Sequence, residues 1–512
     1  MSADLVIFNA NVRTLNSSQP AAQAIAIIEN KIVKVGSGQQ VQQLIDEKTK
    51  VIDLNGKTVI PGLIDTHIHV ADFGRCLMWL ELKNAKSIVE LQNMLKEKDQ
   101  NMQRGQWIIG QGWNENRLKR LPTTADLDEA VPDNPVILYR EAAMICVANS
   151  KAQELAGITE QIPVPSGGSI DKDPKTGKPT GIFRDAATSL IWQAVPEPSQ
   201  EELLENTALA CQKISQAGLT SVHWIVLSEN ELPIIQKLYE QKRLPFRVNV
   251  IVPFELMGKM GNFEPFDQLE LRFSSVTVNV DGYLDSKEAA LFEPYSDDHK
   301  NSGKTLCSED MLSDSVGKMV AAGLQPCIVA MGDRAVDLAL TVIENLPKRV
   351  RFRIEQAAVL NEGLVQRLKQ QQVVVSVQPK VISTEFSVWS AVEHLGLKRA
   401  KWLHPLKTLI IAGVKVVGGS DCPMEPLNPL LGIQEVVLRQ VFPEQRLSVE
   451  EALKMYTLYA AFSSSEEAIK GSIEEGKLAD LTVLSNDITE VAMDKIKDIK
   501  VEHVVVNGVL LF

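Results

Sequence analysis

Eight short apolar runs, each closing on polar or turn-forming residues, recur along the middle of the chain, at 59–70, 220–227, 246–254, 275–285, 326–333, 351–359, 373–379 and 415–421. Between most of them apolar residues recur at helical spacing, at 201–217, 231–242, 308–322, 333–346 and 361–370. Strand-like runs that alternate with amphipathic helices pair in parallel, because each crossover must carry a helix from one end of the sheet to the other. Eight such units predict an α/β fold whose centre is a TIM-like (β/α)8 barrel.

Two regions lie outside that alternation. About 150 residues separate the first run from the second, far more than a strand-to-helix connection needs. They hold a helical stretch at 87–103, an apolar run at 107–112 and a Pro/Gly/Lys-rich loop at 163–180. An insertion at about 71–218, projecting above the barrel mouth, is expected. The ends of the chain are strand-like throughout, at 5–9, 12–15, 24–28, 31–35 and 51–54, and again at 481–484, 501–506 and beyond the Asn507-Gly508 turn. Neither end has enough strands to bury a face alone, so residues 1–57 and 472–512 are expected to form one composite β-sandwich beside a barrel of 58–471.

The first barrel run reads V-I-P-G-L-I-D-T-H-I-H over residues 59–69. Side chains alternate along a strand, so His67 and His69 face the same way at its C-terminal end, where a barrel gathers its functional groups. The last run ends G-G-S-D-C-P over 418–423. Barrel closure makes the first and last strands neighbours and brings Asp421 toward the two imidazoles. Two histidines and one carboxylate suit a catalytic zinc, or a non-haem iron or manganese, with positions left open for water. Asp421 is either the third ligand or the general base that takes a proton from that water.

Composition narrows the partners. The chain of 512 residues has a formal charge of −12, with no block of Lys or Arg, which argues against nucleic acid and anionic membranes as partners. A small-molecule substrate is expected instead, and self-association into a homo-oligomer stays open. Six cysteines are scattered singly, with no C-x-x-C pair. They are expected to be free thiols in a reducing compartment. The first residues lack the pattern of a secretory leader and no apolar stretch reaches spanning length, so the cytoplasm is the expected location.

With those residues assembled, the chain resembles the amidohydrolase superfamily. The resemblance rests on I-P-G-L-I-D-T-H-I-H, the late G-S-D, the closing E-E-G-K-L-A-D-L and the terminal V-V-V-N-G. G-Q-G-W-N-E at 110–115, V-A-N-S-K-A at 147–152, D-G-Y-L-D-S-K-E-A-A-L at 281–291, G-D-R-A at 332–335, R-I-E at 353–355, V-Q-P at 377–379 and S-D-C-P at 420–423 are similar to its amidohydrolase-3 branch. That branch contains N-substituted formamide deformylases. The resemblance implies a metal-dependent hydrolase acting on carbon-nitrogen bonds other than peptide bonds, in a small amide, formamide or cyclic amide.

Four polar positions of the branch are replaced. Thr277 stands where a metal-bridging lysine is usual, Val329 and Gln356 stand where the fifth and sixth strands carry histidines, and Met144 replaces a histidine in the insertion. Threonine cannot carry a carbamate and valine has no lone pair, so the expected site is reduced to one ion, zinc first, held by His67, His69 and Asp421. Glu355 and Cys327 are the nearest substitutes for the missing ligands. The matched motifs offer Trp113, Asp281, Lys287, Glu355, Gln356 and Gln378 as candidates for the substrate pocket, and His223 as a residue of its wall. The replacements also define an alternative, a catalytically impaired barrel that keeps the fold for binding or assembly. A lyase or isomerase on the same scaffold is a third option.

Overall fold

The computed structural model describes residues 2–141, 144–257 and 268–512. All eight central runs become strands of one parallel sheet: β1 (Leu63–Ile68), β2 (Leu219–Ile225), β3 (Arg247–Pro253), β4 (Leu271–Asn279), β5 (Gln325–Ala330), β6 (Arg353–Gln356), β7 (Val374–Val377) and β8 (Val416–Gly418). Each pairs with its neighbour in sequence, as where Val329 of β5 lies opposite Glu355 of β6. The edge strands meet just beyond their ends. The Asp421 N–H donates to the His67 carbonyl at 2.8 Å and the His69 N–H to the Cys422 carbonyl at 3.0 Å. The sheet thus closes at its C-terminal rim, where the metal-binding pattern lies.

Helices α1 (Gln200–Gln216), α2 (Glu231–Glu240), α3 (Glu309–Ala321), α4 (Asp333–Glu344), α5 (Glu362–Gln370) and α6 (Leu406–Ala412) separate the strands. Their starts are set locally: Ser308 caps α3 by accepting from the Met311 N–H, and Asn361 caps α5 by accepting from Leu364. The run expected as strand over 275–285 stops at Asn279, because Asp281 turns inward to accept the backbone N–H groups of Ala290, Met331 and Gly332.

The chain ends build two further sheets. Leu5–Phe8, Ala24–Ile28, Lys31–Gly36 and Lys50–Asp53 form one. Thr58–Pro61, Asn11–Arg13 and Ala21–Ala22 join Leu481–Leu484, Val501–Val506 and Val509–Leu510 in the other. Leu5, Ile25 and Ile27 pack with Val59, Leu481 and Val505 in a shared apolar core. The apolar run from Val59 is therefore divided: Thr58–Pro61 pairs with Leu481–Leu484, and only from Leu63 does the chain enter the barrel. Gly62 makes the crossing, since a Cβ there would lie 2.1 Å from the Thr220 hydroxyl. Residues 58–61, expected in the barrel, thus belong to the terminal sheet. A buried bidentate pair, Arg247 with Asp480 at 2.6 and 3.0 Å, ties β3 to the terminal sheets.

Residues Gly74–Asn206 form a compact unit of their own. Its sheet runs Gly168–Lys172, Pro179–Asp185, Ile145–Ala148, Val136–Arg140, Ile108–Trp113 and Leu80–Glu81. The loop expected over 163–180 contains a hairpin instead. Arg184 grips Asp171 across its two strands at 2.8 and 2.7 Å, and Asp173 closes the turn on the N–H groups of Lys175 and Thr176. No helix among the described residues is long and apolar enough to cross a membrane.

Candidate metal centre

His67, His69 and Asp421 present one ligand atom each, all within 4.8 Å of one another. The Nε2 atoms of His67 and His69 lie 3.5 and 3.4 Å from the same oxygen, Oδ1 of Asp421. Each ring is held from behind by its Nδ1, which contacts the Glu355 carboxylate at 2.9 Å in His67 and the Ile225 carbonyl at 3.2 Å in His69. Both partners are acceptors, so in each ring Nδ1 carries a proton and Nε2 is the nitrogen directed at Asp421, where it can offer a lone pair to an ion. Three lone-pair donors facing one point, with the rings fixed by outer acceptors, is the arrangement a divalent cation requires. Without an ion the same geometry favours protonation of His69. Burial lowers the His69 pKa, but the hydrogen bond and charge of Asp421 outweigh it and raise the pKa above the ordinary histidine value.

A buried charge network supports His67. Arg353, fully enclosed, forms an ion pair with Glu355 and donates to Ser376 Oγ at 3.0 Å and to the Thr66 carbonyl at 2.5 Å. Burial alone would raise the Glu355 pKa, yet the Arg353 charge and the His67 ring hold it down at about 2. Glu355 is therefore an anion that orients His67, and it is not a substitute metal ligand. Asp65 adds a second brace, accepting the N–H groups of His67 and Ser420, each at 3.0 Å, so that one carboxylate bridges β1 and the chain after β8. Gly419 allows that approach, because a Cβ there would sit 2.6 Å from both N and Cβ of His67.

The other sequence candidates divide. His223 is completely buried and held neutral, its pKa pushed far down by burial and by Arg353. Its Nδ1 accepts from Arg353 at 2.8 Å, which leaves a proton on Nε2 with no partner among the described residues. Gln378, at the end of β7, is fully buried and neither amide atom has a partner there. Gln356, buried at the end of β6, takes the left-handed backbone conformation with φ 71°. Thr277 Oγ is buried and unpartnered as well.

Three candidates for the substrate pocket have their polar atoms engaged by the protein itself. Trp113 is a core residue of the Gly74–Asn206 unit, fully buried, with its indole N–H donated to the Leu138 carbonyl at 2.9 Å. Asp281 has both oxygens committed to backbone amides, and burial raises its pKa to about 6. Lys287 is paired with Asp297. Cys327 also leaves the ligand set, since it packs with Ile225 and Ile251 and burial pushes its thiol up to about 12. Met144, in the insertion, is 59% exposed. Among the described residues the His67, His69 and Asp421 group is the one cluster with metal-ligand geometry.

Comparison with known proteins agrees with the barrel. The amidohydrolase family pattern Amidohydro_3 matches residues 50–512, and the chain belongs to that family. It is 32% identical to the putative amidohydrolase YtcJ of Bacillus subtilis over 98% of both chains. It is 27% identical to the N-substituted formamide deformylase of Arthrobacter pascens, over 99% of this chain and 98% of that one. Among solved structures, an uncharacterized metal-dependent hydrolase from Pyrococcus furiosus superposes with a TM-score of 0.81 at 30% identity, covering 95% of this chain and 100% of the other.

Proposed function

We propose that the protein is a mononuclear metal-dependent hydrolase that cleaves the non-peptide carbon-nitrogen bond of a small amide, formamide or cyclic amide. The observation that carries the reading is the convergence of His67 Nε2, His69 Nε2 and Asp421 Oδ1, with both Nδ1 atoms committed to acceptors behind the rings. A divalent ion at that point, zinc being the best match to two imidazoles and a carboxylate, would polarise the scissile carbonyl and acidify a water. The chain's own groups supply the remainder. Glu355 orients His67 and holds its proton on Nδ1, and the Ile225 carbonyl does the same for His69. Asp421 faces the histidines through Oδ1, which leaves Oδ2 to accept the proton of the attacking water and return it to the departing nitrogen.

The substrate class is supported by a relative named an N-substituted formamide deformylase. Thr277, Val329 and Gln356, none of which offers an anionic or imidazole ligand, support a single-ion site. A second reading, a catalytically silent barrel, is favoured by the apolar packing of Cys327 against Ile225 and Ile251. One experiment separates the two. A screen of N-formyl amines and cyclic amides is run with zinc-loaded wild type and with Asp421→Asn. Hydrolysis that disappears in the variant supports the proposal. Equal rates in both, or none in either at full metal loading, contradict it.

A further inference from the structure

A cavity opens at the end of the barrel opposite the metal centre. About 880 Å3 in volume, it is bounded by the N-terminal ends of β4 to β8 and by the turns that follow α3, α5 and α6. Arg272, Lys348, Arg349, Arg351, Lys369 and Lys415 line it, and no Asp or Glu does. In a chain whose formal charge is −12, such a one-signed lining is a local reversal of the overall balance.

Two of the six cations are neutralised, Arg351 by Glu467 at 3.0 Å and Arg272 by Glu466 at 3.5 Å. Lys348, Arg349, Lys369 and Lys415 have no ion pair among the described residues. Lys415 lies 4.2 Å from the centre of the Phe462 ring, against which Arg351 also packs at 3.5 Å. Part of this charge answers the helix C-termini that a parallel barrel collects at this end. Three of them, at about half a negative charge each, amount to roughly −1.5 against four unpaired positive charges. The excess leaves the space electropositive and able to attract an anion. Gln371 adds a polar feature, its amide oxygen buried without a partner on the cavity wall. Turned over, that amide would present its NH2 group to an anion.

We propose that this cavity is a second binding site, for a small anion bearing a chain of phosphate groups. Four unpaired cations around one space match the charge of a triphosphate, and the volume lies in the range of pockets that hold drug-sized ligands. The site is independent of the metal centre and of the hydrolytic reading.

Calorimetric titration of the full-length protein with inorganic triphosphate, ATP and citrate tests it, at low and moderate salt. Triphosphate or ATP should bind, with affinity lowered at least tenfold in the exposed double variant Lys348→Glu/Arg349→Glu and lowered again by added salt. His67→Ala should bind as the wild type does, which separates this site from phosphate at the metal. ATP binding tighter than triphosphate assigns a nucleotide, and equal binding assigns the phosphate chain alone. Absence of binding by both at millimolar concentration overturns the proposal. So does undiminished affinity in the charge-reversed variant shown to be folded by circular dichroism, or equal affinity for citrate.

Discussion

Replacing Gly419 by alanine should disable the metal centre without touching a ligand. The new Cβ would lie 2.6 Å from the backbone N and the Cβ of His67, whereas ordinary contact begins at 3.4 Å. The chain after β8 must therefore move away from β1 by about 0.8 Å, because neither obstacle is a flexible side-chain tip. That displacement stretches the hydrogen bond from Asp421 N–H to the His67 carbonyl from 2.8 Å to about 3.6 Å, beyond useful length. It also carries Asp421 off the point shared with His67 and His69, when metal-ligand distances tolerate only about 0.2 Å. Overpacking should cost about 1–3 kcal/mol of stability, and zinc affinity should fall roughly 10–100-fold, as it does when outer supports of a metal site are lost. Competition with a chromophoric chelator measures the affinity and urea unfolding the stability. Gly62→Ala is the control: it meets the Thr220 hydroxyl at 2.1 Å, so it should destabilise the barrel while leaving zinc affinity within a few-fold. Wild-type affinity in Gly419→Ala would refute the claim that close approach of the two strand ends builds the site.

Glu355→Ala removes the acceptor behind His67 and strands the buried Arg353 charge. It should cost about 3–5 kcal/mol in urea unfolding and weaken zinc roughly 10–100-fold, while Glu355→Gln, which keeps an acceptor oxygen, should lose less affinity; identical affinities in both variants would remove Glu355 from the metal's support. Asp487 should report on acid. Burial would raise its pKa, but the Arg13 hydrogen bond overrides this and holds it at about 2, below the ordinary 3.8. Its ionised form therefore stabilises the fold above pH 3.8, and that contribution is lost as the pH falls toward 2. Discounted for solvent screening, Asp487→Asn should cost about 1–2 kcal/mol at pH 7 and progressively less below pH 4; a difference that does not shrink with acid would contradict the assignment. In thiol titration of the native protein, Cys76 and Cys307, which are partly exposed, should react before Cys146, Cys211 and Cys327, whose thiols burial pushes up to about 12. Early labelling of Cys327 would show that the barrel interior is open.

The barrel was legible because its information is local. Each of the eight strands is announced by an apolar run with a polar end, and His67 and His69 announce their shared face by period-two spacing alone. Asp421 needed one topological step, the neighbourhood of first and last strands. The outer support was not recognised, although a signal existed: Arg353 and Glu355 also stand two apart in a strand and so share a face directed at the barrel interior. The misplaced residues all depend on distant partners. Asp281 is committed by amides up to 51 residues away, and Trp113 by a carbonyl on a neighbouring strand. No periodicity encodes such pairings. The Thr58–Pro61 segment was misassigned for a related reason, since one unbroken apolar run serves two sheets and only Gly62 marks the change.

The metal content of the native protein, purified without chelator and measured by inductively coupled plasma mass spectrometry alongside His67→Ala, tests the central claim most directly. The account predicts one divalent ion per chain in the wild type and a large loss in the variant. Two ions per chain, or a content that the variant leaves unchanged, would contradict a single-ion site built on His67, His69 and Asp421.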